Sequence, residues 1–148
     1  MQAQASVYRY TLKRQKVGGI REGELASGPA EVAEFLRSIG LHEQEQEHLV
    51  ALSLDTKNHV RGYSTVSVGL ADTSLGHPRE VFRHAIMLGA TGVVIGHQHP
   101  SGDPTPSADD LRITRQLKQA GEIIGIRLVD HVIIAGDKHL SFQMEGLL

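Results

Sequence analysis

Hydrophobic and polar residues follow two different periods along the chain, which predict both strands and helices. Alternation with period two, or a short unbroken apolar run, predicts a strand, and a repeat of three to four residues predicts a helix. The predicted strands cover residues 6–14, 48–55, 59–70, 91–96, 126–136 and 139–143. The predicted helices cover residues 31–40, 78–89 and 107–124, and the second places Val81, Phe82, Ala85 and Ile86 on one face.

Turn-forming residues mark the ends of these elements. Gly40 and Gly89 follow the first two helices, and Pro78 occupies a first turn, where its missing N–H costs nothing. The run TGVVIG (91–96) is apolar on both faces, which is typical of a strand in the middle of a sheet. Helices and strands alternate around one sheet that contains at least one hairpin. We therefore expect an α/β fold, a single compact domain with a mixed β-sheet flanked by helices.

Composition and charge exclude several classes of site. The 148 residues contain no cysteine, which rules out disulfides, thiolate metal ligands and a cysteine nucleophile. A formal charge of −2 gives no sign of broad attraction to nucleic acid or to acidic membranes. No apolar run approaches the ~20 residues that span a bilayer, and the N-terminus lacks the apolar core of a secretory signal. We expect a cytoplasmic protein.

The segment IGHQHPSGDPTPSADD (95–110) concentrates the candidate chemistry. His97 and His99 are separated by one residue, so in extended backbone both imidazoles point to the same side. Asp110 follows after a Pro/Gly loop, in the first turn of a predicted helix, where a carboxylate is favoured. Two histidines and one carboxylate can hold a zinc ion and leave a fourth position for water.

Each part of this segment has a simpler explanation when taken alone. Two histidines one residue apart are commonly exposed loop residues. Ser107 followed three positions later by Asp110 resembles a capping box at a helix start. The conjunction favours a metal site, because the buried strand, the histidine pair, the loop and the helix start occur in order. Capping and ligation are also compatible.

These residues resemble a known signature. His97-Gln98-His99, seven residues, Ser107, two residues and Asp110 resemble the JAMM (MPN+) metalloprotease motif. The segments HPREVFRHAI, HQHPSGDPTPSADD and GIRLVDHVIIAG are similar to the RadC-like JAB-domain family. The resemblance implies a JAB/MPN fold of cytidine-deaminase-like architecture over residues 45–148, preceded by an N-terminal strand and helix extension over 1–44. Family members commonly carry Asn where this chain has Gln98, a side chain that we expect to point away from the metal.

The resemblance also implies roles for the site residues. Zn²⁺ would be held by His97, His99 and Asp110, with a water in the fourth position. Ser107 would stabilise the oxyanion, and a glutamate would act as general base. The resemblance selects Glu47 for that base, and the other candidates are Glu43, Glu45 and Glu80. In addition, either Asp130 or His131 is expected to support the site, unless the pair is simply polar residues at a strand edge.

Three functions are compatible with these features. The first is a zinc-dependent hydrolase that cleaves a peptide, isopeptide or related amide bond. The second is an MPN-type binding domain whose metal is not catalytic. The third follows from the family's association with DNA repair, but the net charge does not suggest DNA affinity. The chain resembles short family members without the N-terminal helix-hairpin-helix region. The sequence leaves the substrate and the oligomeric state open.

Overall fold

A computed structural model describes residues 6–9, 11, 13, 15, 28–69 and 76–148, and its ordered elements form one layered α/β unit. The strands are β1 His48–Leu54, β2 Val60–Val68, β3 Gly92–Gln98, β4 Arg127–Ala135 and β5 Lys138–Ser141. The helices are α1 Pro29–Ser38, α2 Pro78–Met87 and α3 Ala108–Ile124. A 3₁₀ turn, Leu41–Glu43, connects α1 towards β1.

The five strands form one mixed sheet in the order β2-β1-β3-β4-β5. Strand β3 pairs antiparallel with β1 and parallel with β4, and the two outer pairs are antiparallel. All seven residues of β3 are buried, as expected for the central strand. These features confirm the predicted α/β class and the mixed sheet flanked by helices.

Helices cover both faces of the sheet. On one face α2 and α3 pack against β1 and β3 through a buried apolar cluster that includes Phe82, Leu117 and Ile95. On the other face α1 packs against β1, β3 and β4, with Leu36 fully buried among Val94 and Val132. Because both faces of β3 are covered, its end provides a rigid base for the residues that follow.

A glycine in the central strand lets α1 approach closely. A Cβ atom at Gly96 would lie 2.4 Å from the Leu36 Cδ1 atom, well inside van der Waals contact. Gly96 directly precedes His97, so α1 packs on the back of the strand that carries the candidate ligands. The Arg37 side chain further ties α1 to the sheet by donating hydrogen bonds to the carbonyls of Gly136 and Lys138.

Two sequence predictions need correction. The strand predicted over residues 6–14 falls partly outside the described residues, and those described within it form no strand. Val7 and Tyr8 are 94% and 74% exposed there. The alternation of apolar and polar residues in this segment therefore does not correspond to a packed strand face at these two residues. In α2, Val81, Phe82 and Ala85 are buried, whereas Ile86 is 58% exposed. Ile86 lies about 140° around the helix from Val81, at the edge of the packed face.

The other predicted elements are present with ends that differ by a few residues. The division of the chain at residue 44 stays a prediction. Within the described ranges, no helix has both the length and the apolar character that a membrane crossing requires.

Candidate metal centre

The end of β3 carries the two histidines. His97 is completely buried and is flanked by Leu49 of β1 and Ile133 of β4. His99 lies one residue beyond the strand, and its backbone N–H donates to the Ile134 carbonyl over 2.9 Å. Both residues therefore take their positions from the centre of the sheet, and both side chains leave it on the same face.

Asp110 reaches the histidines from the start of α3. The intervening loop turns at Gly102, which has a φ of 82°. Ser107 is the N-cap of α3, and a capping box is present: the Ser107 hydroxyl oxygen accepts from the Asp110 N–H over 3.1 Å, and Asp110 Oδ2 accepts from the Ser107 N–H over 2.8 Å. The simpler explanation of the Ser107–Asp110 pair is thus correct, and it also fixes the carboxylate at the histidines.

Three potential metal ligands converge at this point. The Nε2 atoms of His97 and His99 are 2.9 Å apart. Asp110 Oδ1 lies 3.2 Å from His97 Nε2, and Oδ2 lies 3.2 Å from His99 Nε2. For a tetrahedral ion about 2.0–2.1 Å from its ligands, neighbouring ligand atoms are about 3.3 Å apart. The observed separations therefore suit a small metal ion, and His97, His99 and Asp110 form a group that can hold one.

A hydrogen bond to the backbone orients the His99 ring for metal binding. Its Nδ1 atom lies 2.8 Å from the carbonyl oxygen of Asp103. A carbonyl can only accept, so Nδ1 carries the hydrogen and Nε2 presents a lone pair in the neutral ring. A metal-binding histidine is commonly held by such a bond from its other nitrogen.

A buried chain of hydrogen bonds orients the His97 ring in the same way. The Thr114 hydroxyl donates its single hydrogen to the Asp110 carbonyl over 2.6 Å, so it accepts from His131 Nδ1, also at 2.6 Å. His131 Nε2 is then an acceptor in the neutral ring, and it receives the His97 Nδ1–H over 2.8 Å. His97 Nε2 is left as a lone pair that faces His99 and Asp110.

Burial supports the neutral form of His131. The ring is fully buried and stacks on Phe142 with centroids 4.4 Å apart. Burial lowers the pKa of His131 well below its ordinary value. A protonated His131 would instead donate to His97 Nδ1 and place the His97 hydrogen on Nε2, where a metal ion has to bind.

The remaining pKa shifts follow from the same contacts. Burial alone would raise the pKa of Asp110, but the His97 and His99 rings, whose Nε2 atoms donate to the carboxylate when they are protonated, hold that pKa well below its ordinary value. The hydrogen bond to Asp110 raises the pKa of His99 against the opposing effect of burial, and the charge of Glu47 adds to the rise. The carboxylate is therefore ionised at neutral pH, as a metal ligand has to be.

The structure places Glu47 immediately before β1, half-buried. The antiparallel register pairs Leu49 with His97. If this register is continued by two residues, Glu47 lies opposite His99. Its influence on the His99 pKa reports the same proximity. Ser107 is exposed at the rim of the cluster. The catalytic roles of Ser107 and Glu47 stay predictions.

The other candidates have different surroundings. Glu80 lies on α2, where its carboxylate pairs with Arg79 and Arg83 at 3.2 and 3.0 Å. Glu43 and Glu45 are exposed. Asp130 faces away from the cluster: its oxygens accept from the Ser141 hydroxyl and from the backbone N–H groups of His131 and Gln143. Of the Asp130–His131 pair, only His131 contacts a candidate ligand.

The sequence interpretation gave no role in the site to two contributing residues, Thr114 and Gln98. Thr114 lies four residues after Asp110 on α3, a spacing that puts both on one helix face and is the signal that could have found it. Gln98 does point away from the histidine cluster, as expected, but its amide is buried against the residues around Glu47. A polar side chain in a central strand requires partners, and that requirement was the available signal.

Comparison with known proteins agrees with this geometry. A family model described as RadC-like JAB domain matches residues 26–147. The chain belongs to the RadC-like JAB domain family. The fold and the His-His-Asp cluster are consistent with a JAB domain of this kind.

Named relatives of this JAB domain occur in several bacteria. A "UPF0758 protein" of Thermotoga maritima is 55% identical over 104 residues, which cover 70% of this chain and 47% of the relative. One from Desulfitobacterium hafniense is 47% identical over 104 residues, covering 70% and 46%. One from Syntrophomonas wolfei is 39% identical over 138 residues, covering 91% and 59%. The chain thus spans about half the length of the relatives it matches.

Proposed function

We propose that this JAB domain is a zinc-dependent hydrolase that cleaves a peptide, isopeptide or related amide bond. One observation carries the proposal: the Nε2 atoms of His97 and His99 are 2.9 Å apart, and each lies 3.2 Å from one oxygen of Asp110. In the neutral rings these atoms all present lone pairs, which repel one another unless a proton or a metal ion lies between them. Two nitrogens, one carboxylate and an open position are a ligand set that catalytic zinc uses. Zinc, when bound, supplies Lewis acidity and lowers the pKa of a water to about 7.

Glu47 is the proposed general base. A base has to stand within hydrogen-bond reach of the attacking water, and Glu47 lies opposite His99, immediately before the strand next to the ligands. Its half-buried carboxylate can take a proton from water and return it to the leaving amine. Glu80 does not suit this role, because two arginines already pair with it.

Ser107 is the proposed oxyanion donor. In the capping box its oxygen accepts from Asp110, so the hydroxyl hydrogen is not used in that bond. The hydrogen can turn towards the carbonyl oxygen of a substrate held beside the ligands. Such a donor acts where negative charge develops in the transition state. Ser107 is in this scheme a hydrogen-bond donor and not a nucleophile.

The proposal also includes a cellular compartment and a class of substrate. We place the protein in the cytoplasm and expect a protein or peptide substrate. The sequence carries a net charge of −2, which does not favour nucleic acid as the substrate.

The test combines metal analysis with a screen of amide substrates. We expect purified protein to bind one Zn²⁺ and to cleave an amide, and Glu47→Gln to keep the zinc but lower kcat/KM by about 10²–10⁴-fold. Glu45→Gln is the matched control, since Glu45 is exposed two residues away, and it should retain activity. A protein that binds no zinc would refute the proposal. Tight zinc binding without any amide cleavage would favour the binding-domain alternative, and steeply salt-dependent DNA binding would favour the repair-associated one.

A further inference from the structure

A buried amide joins the ligand strand to the segment that carries Glu47. Gln98 lies between the two histidines in the sequence and is 2% exposed. Its Oε1 accepts from the His48 N–H over 2.9 Å. Its Nε2 donates to the carbonyls of Gln46 and Gln44 over 2.5 and 3.3 Å. One side chain therefore binds three backbone groups of a single short segment.

These contacts bracket Glu47. The carbonyl before it and the N–H after it both bind the Gln98 amide. The carbonyl of Glu47 itself accepts from the N–H of Gly69, the residue after β2, over 2.6 Å on the other side. The backbone of Glu47 is thus held from both sides, although no element of secondary structure includes it.

The arrangement couples the position of the base to that of the ligands. Gln98 points to the face opposite His97 and His99, because side chains alternate along a strand. Any shift of β3 would therefore move the ligands and the Gln98 amide together, and the amide would carry the Glu47 segment with them. A general base needs such a link, since a displacement of about 1 Å can cost on the order of 10²-fold in rate.

We propose that Gln98 is a positioning residue that sets the Glu47 carboxylate at a fixed distance from the metal ligands. The inference rests on the proposed function, in which Glu47 is the base. It assigns Gln98 no contact with the metal or the substrate. The amide acts only through the backbone of residues 44–48, and an apolar side chain of similar length cannot replace it.

Pseudocontact shifts from bound Co²⁺ test the proposal without an activity assay. In the unaltered protein we expect the Glu47 carboxylate carbon roughly 5 Å from the ion, one water away. Gln98→Met keeps the length of the side chain and removes the amide. In this variant the pseudocontact shift of the Glu47 carboxylate carbon should fall by about 40% if the carboxylate moves about 1 Å away from the ion. The reason is that the pseudocontact shift follows the inverse cube of the distance to the ion. The shifts of Val132 in β4 should stay unchanged, which shows that the ion has not moved.

Amide hydrogen exchange gives a second readout in the metal-free protein. Gln98→Met should speed exchange of the His48 N–H roughly tenfold, since its acceptor is lost. The Gly69 N–H should also exchange faster, although Gln98 does not touch it, because its acceptor is the Glu47 carbonyl. Gln98→Asn keeps the amide on a shorter side chain and should give smaller increases in both exchange rates. If the Gln98→Met protein does not fold, the Asn variant provides the test.

A control in the same segment separates positioning from general loosening. The Gln44 side chain donates to the Gly40 carbonyl and takes no part in the Gln98 contacts, which use the Gln44 backbone. Gln44→Ala should therefore leave the Glu47 shift and the Gly69 exchange unchanged. Unchanged values in both Gln98 variants would overturn the inference and leave the proposed function standing. A Glu47 carboxylate remote from Co²⁺ in the unaltered protein would overturn both.

Discussion

At the scale of single residues, the most consequential side chain is an imidazole that cannot itself be a ligand. His131 accepts the His97 Nδ1–H and donates to Thr114, whose hydrogen goes to the backbone of Asp110. This chain of hydrogen bonds starts at one candidate ligand, His97, and ends at another, Asp110. The hydrogen bonds leave His97 Nε2 free to bind a metal, provided that His131 is neutral.

We predict that His131→Phe weakens zinc binding by about 10–100-fold, the usual effect of losing a partner that orients a ligand. Phenylalanine keeps the stacking on Phe142 but cannot accept the His97 hydrogen. Chelator competition measures the affinity. Thr114→Val removes only the last hydroxyl of the chain and should cause a smaller loss. Equal affinities in all three proteins would contradict the orienting role.

We also predict that zinc affinity falls with falling pH because of His99. The hydrogen bond to Asp110 raises the pKa of His99 from its ordinary value, so a proton competes with the metal for Nε2 up to a higher pH than in a free imidazole. Below that pKa each pH unit should cost about tenfold in affinity, since one proton has to leave. Asp110, whose pKa is lowered, adds no competition in this range. Isothermal titration between about pH 5 and 8 measures the slope, and a flat profile would disprove the assignment.

At the scale of elements, two contacts hold the ligands in place from outside the cluster. One is the packing of α1 on β3, where Gly96 leaves room for Leu36. The other is the capping box at the start of α3, which fixes the Asp110 carboxylate. Each is an ordinary structural feature, and its loss should displace the residues that form the metal site.

We expect Gly96→Ala to lower the free energy of unfolding by about 1–3 kcal/mol, as overpacking of a filled core does. The new methyl group would meet the Leu36 side chain at 2.4 Å. Urea unfolding measures the change. In a Leu36→Ala background, which is itself destabilised, the same substitution should cost less. An equal cost in both backgrounds would show that the Leu36 contact is not its cause.

Substitutions at Ser107 separate its two roles. Ser107→Ala should lower the free energy of unfolding by about 1 kcal/mol through loss of the helix cap, whereas Ser107→Asp should retain most of the capping. Both lack the hydroxyl and should lose hydrolysis by about 10²–10³-fold if it stabilises the oxyanion. Thermal unfolding and kcat give the two readings. Full activity in either variant would leave Ser107 as a cap alone.

At the scale of the whole molecule, the site joins parts of the fold that are distant along the chain. The central strand and the residue after it supply the histidines, α3 supplies Asp110, β4 supplies His131, and the segment before β1 carries Glu47. A metal ion that binds only the folded protein therefore stabilises all of these elements together.

We predict that zinc at a thousandfold excess over its Kd raises the free energy of unfolding by about 4 kcal/mol. The metal-induced rise in melting temperature should disappear in His97→Ala, which removes a buried ligand. His139→Ala is the matched control, because His139 is exposed on β5, and it should keep the rise. A rise that survives in His97→Ala would place the metal elsewhere.

The sequence by itself determined the order of elements from α1 to β5, the central strand, and the His97, His99 and Asp110 cluster. These features depend on local periodicity and on short spacings, which act within one or two neighbouring elements. The bond between Thr114 and His131, the choice of His131 over Asp130, and the Gln98 contacts were decided only by the tertiary structure. They depend on hydrogen bonds between residues 17 to 54 positions apart. Local patterns do not encode such bonds, since their geometry exists only once the sheet and helices have packed.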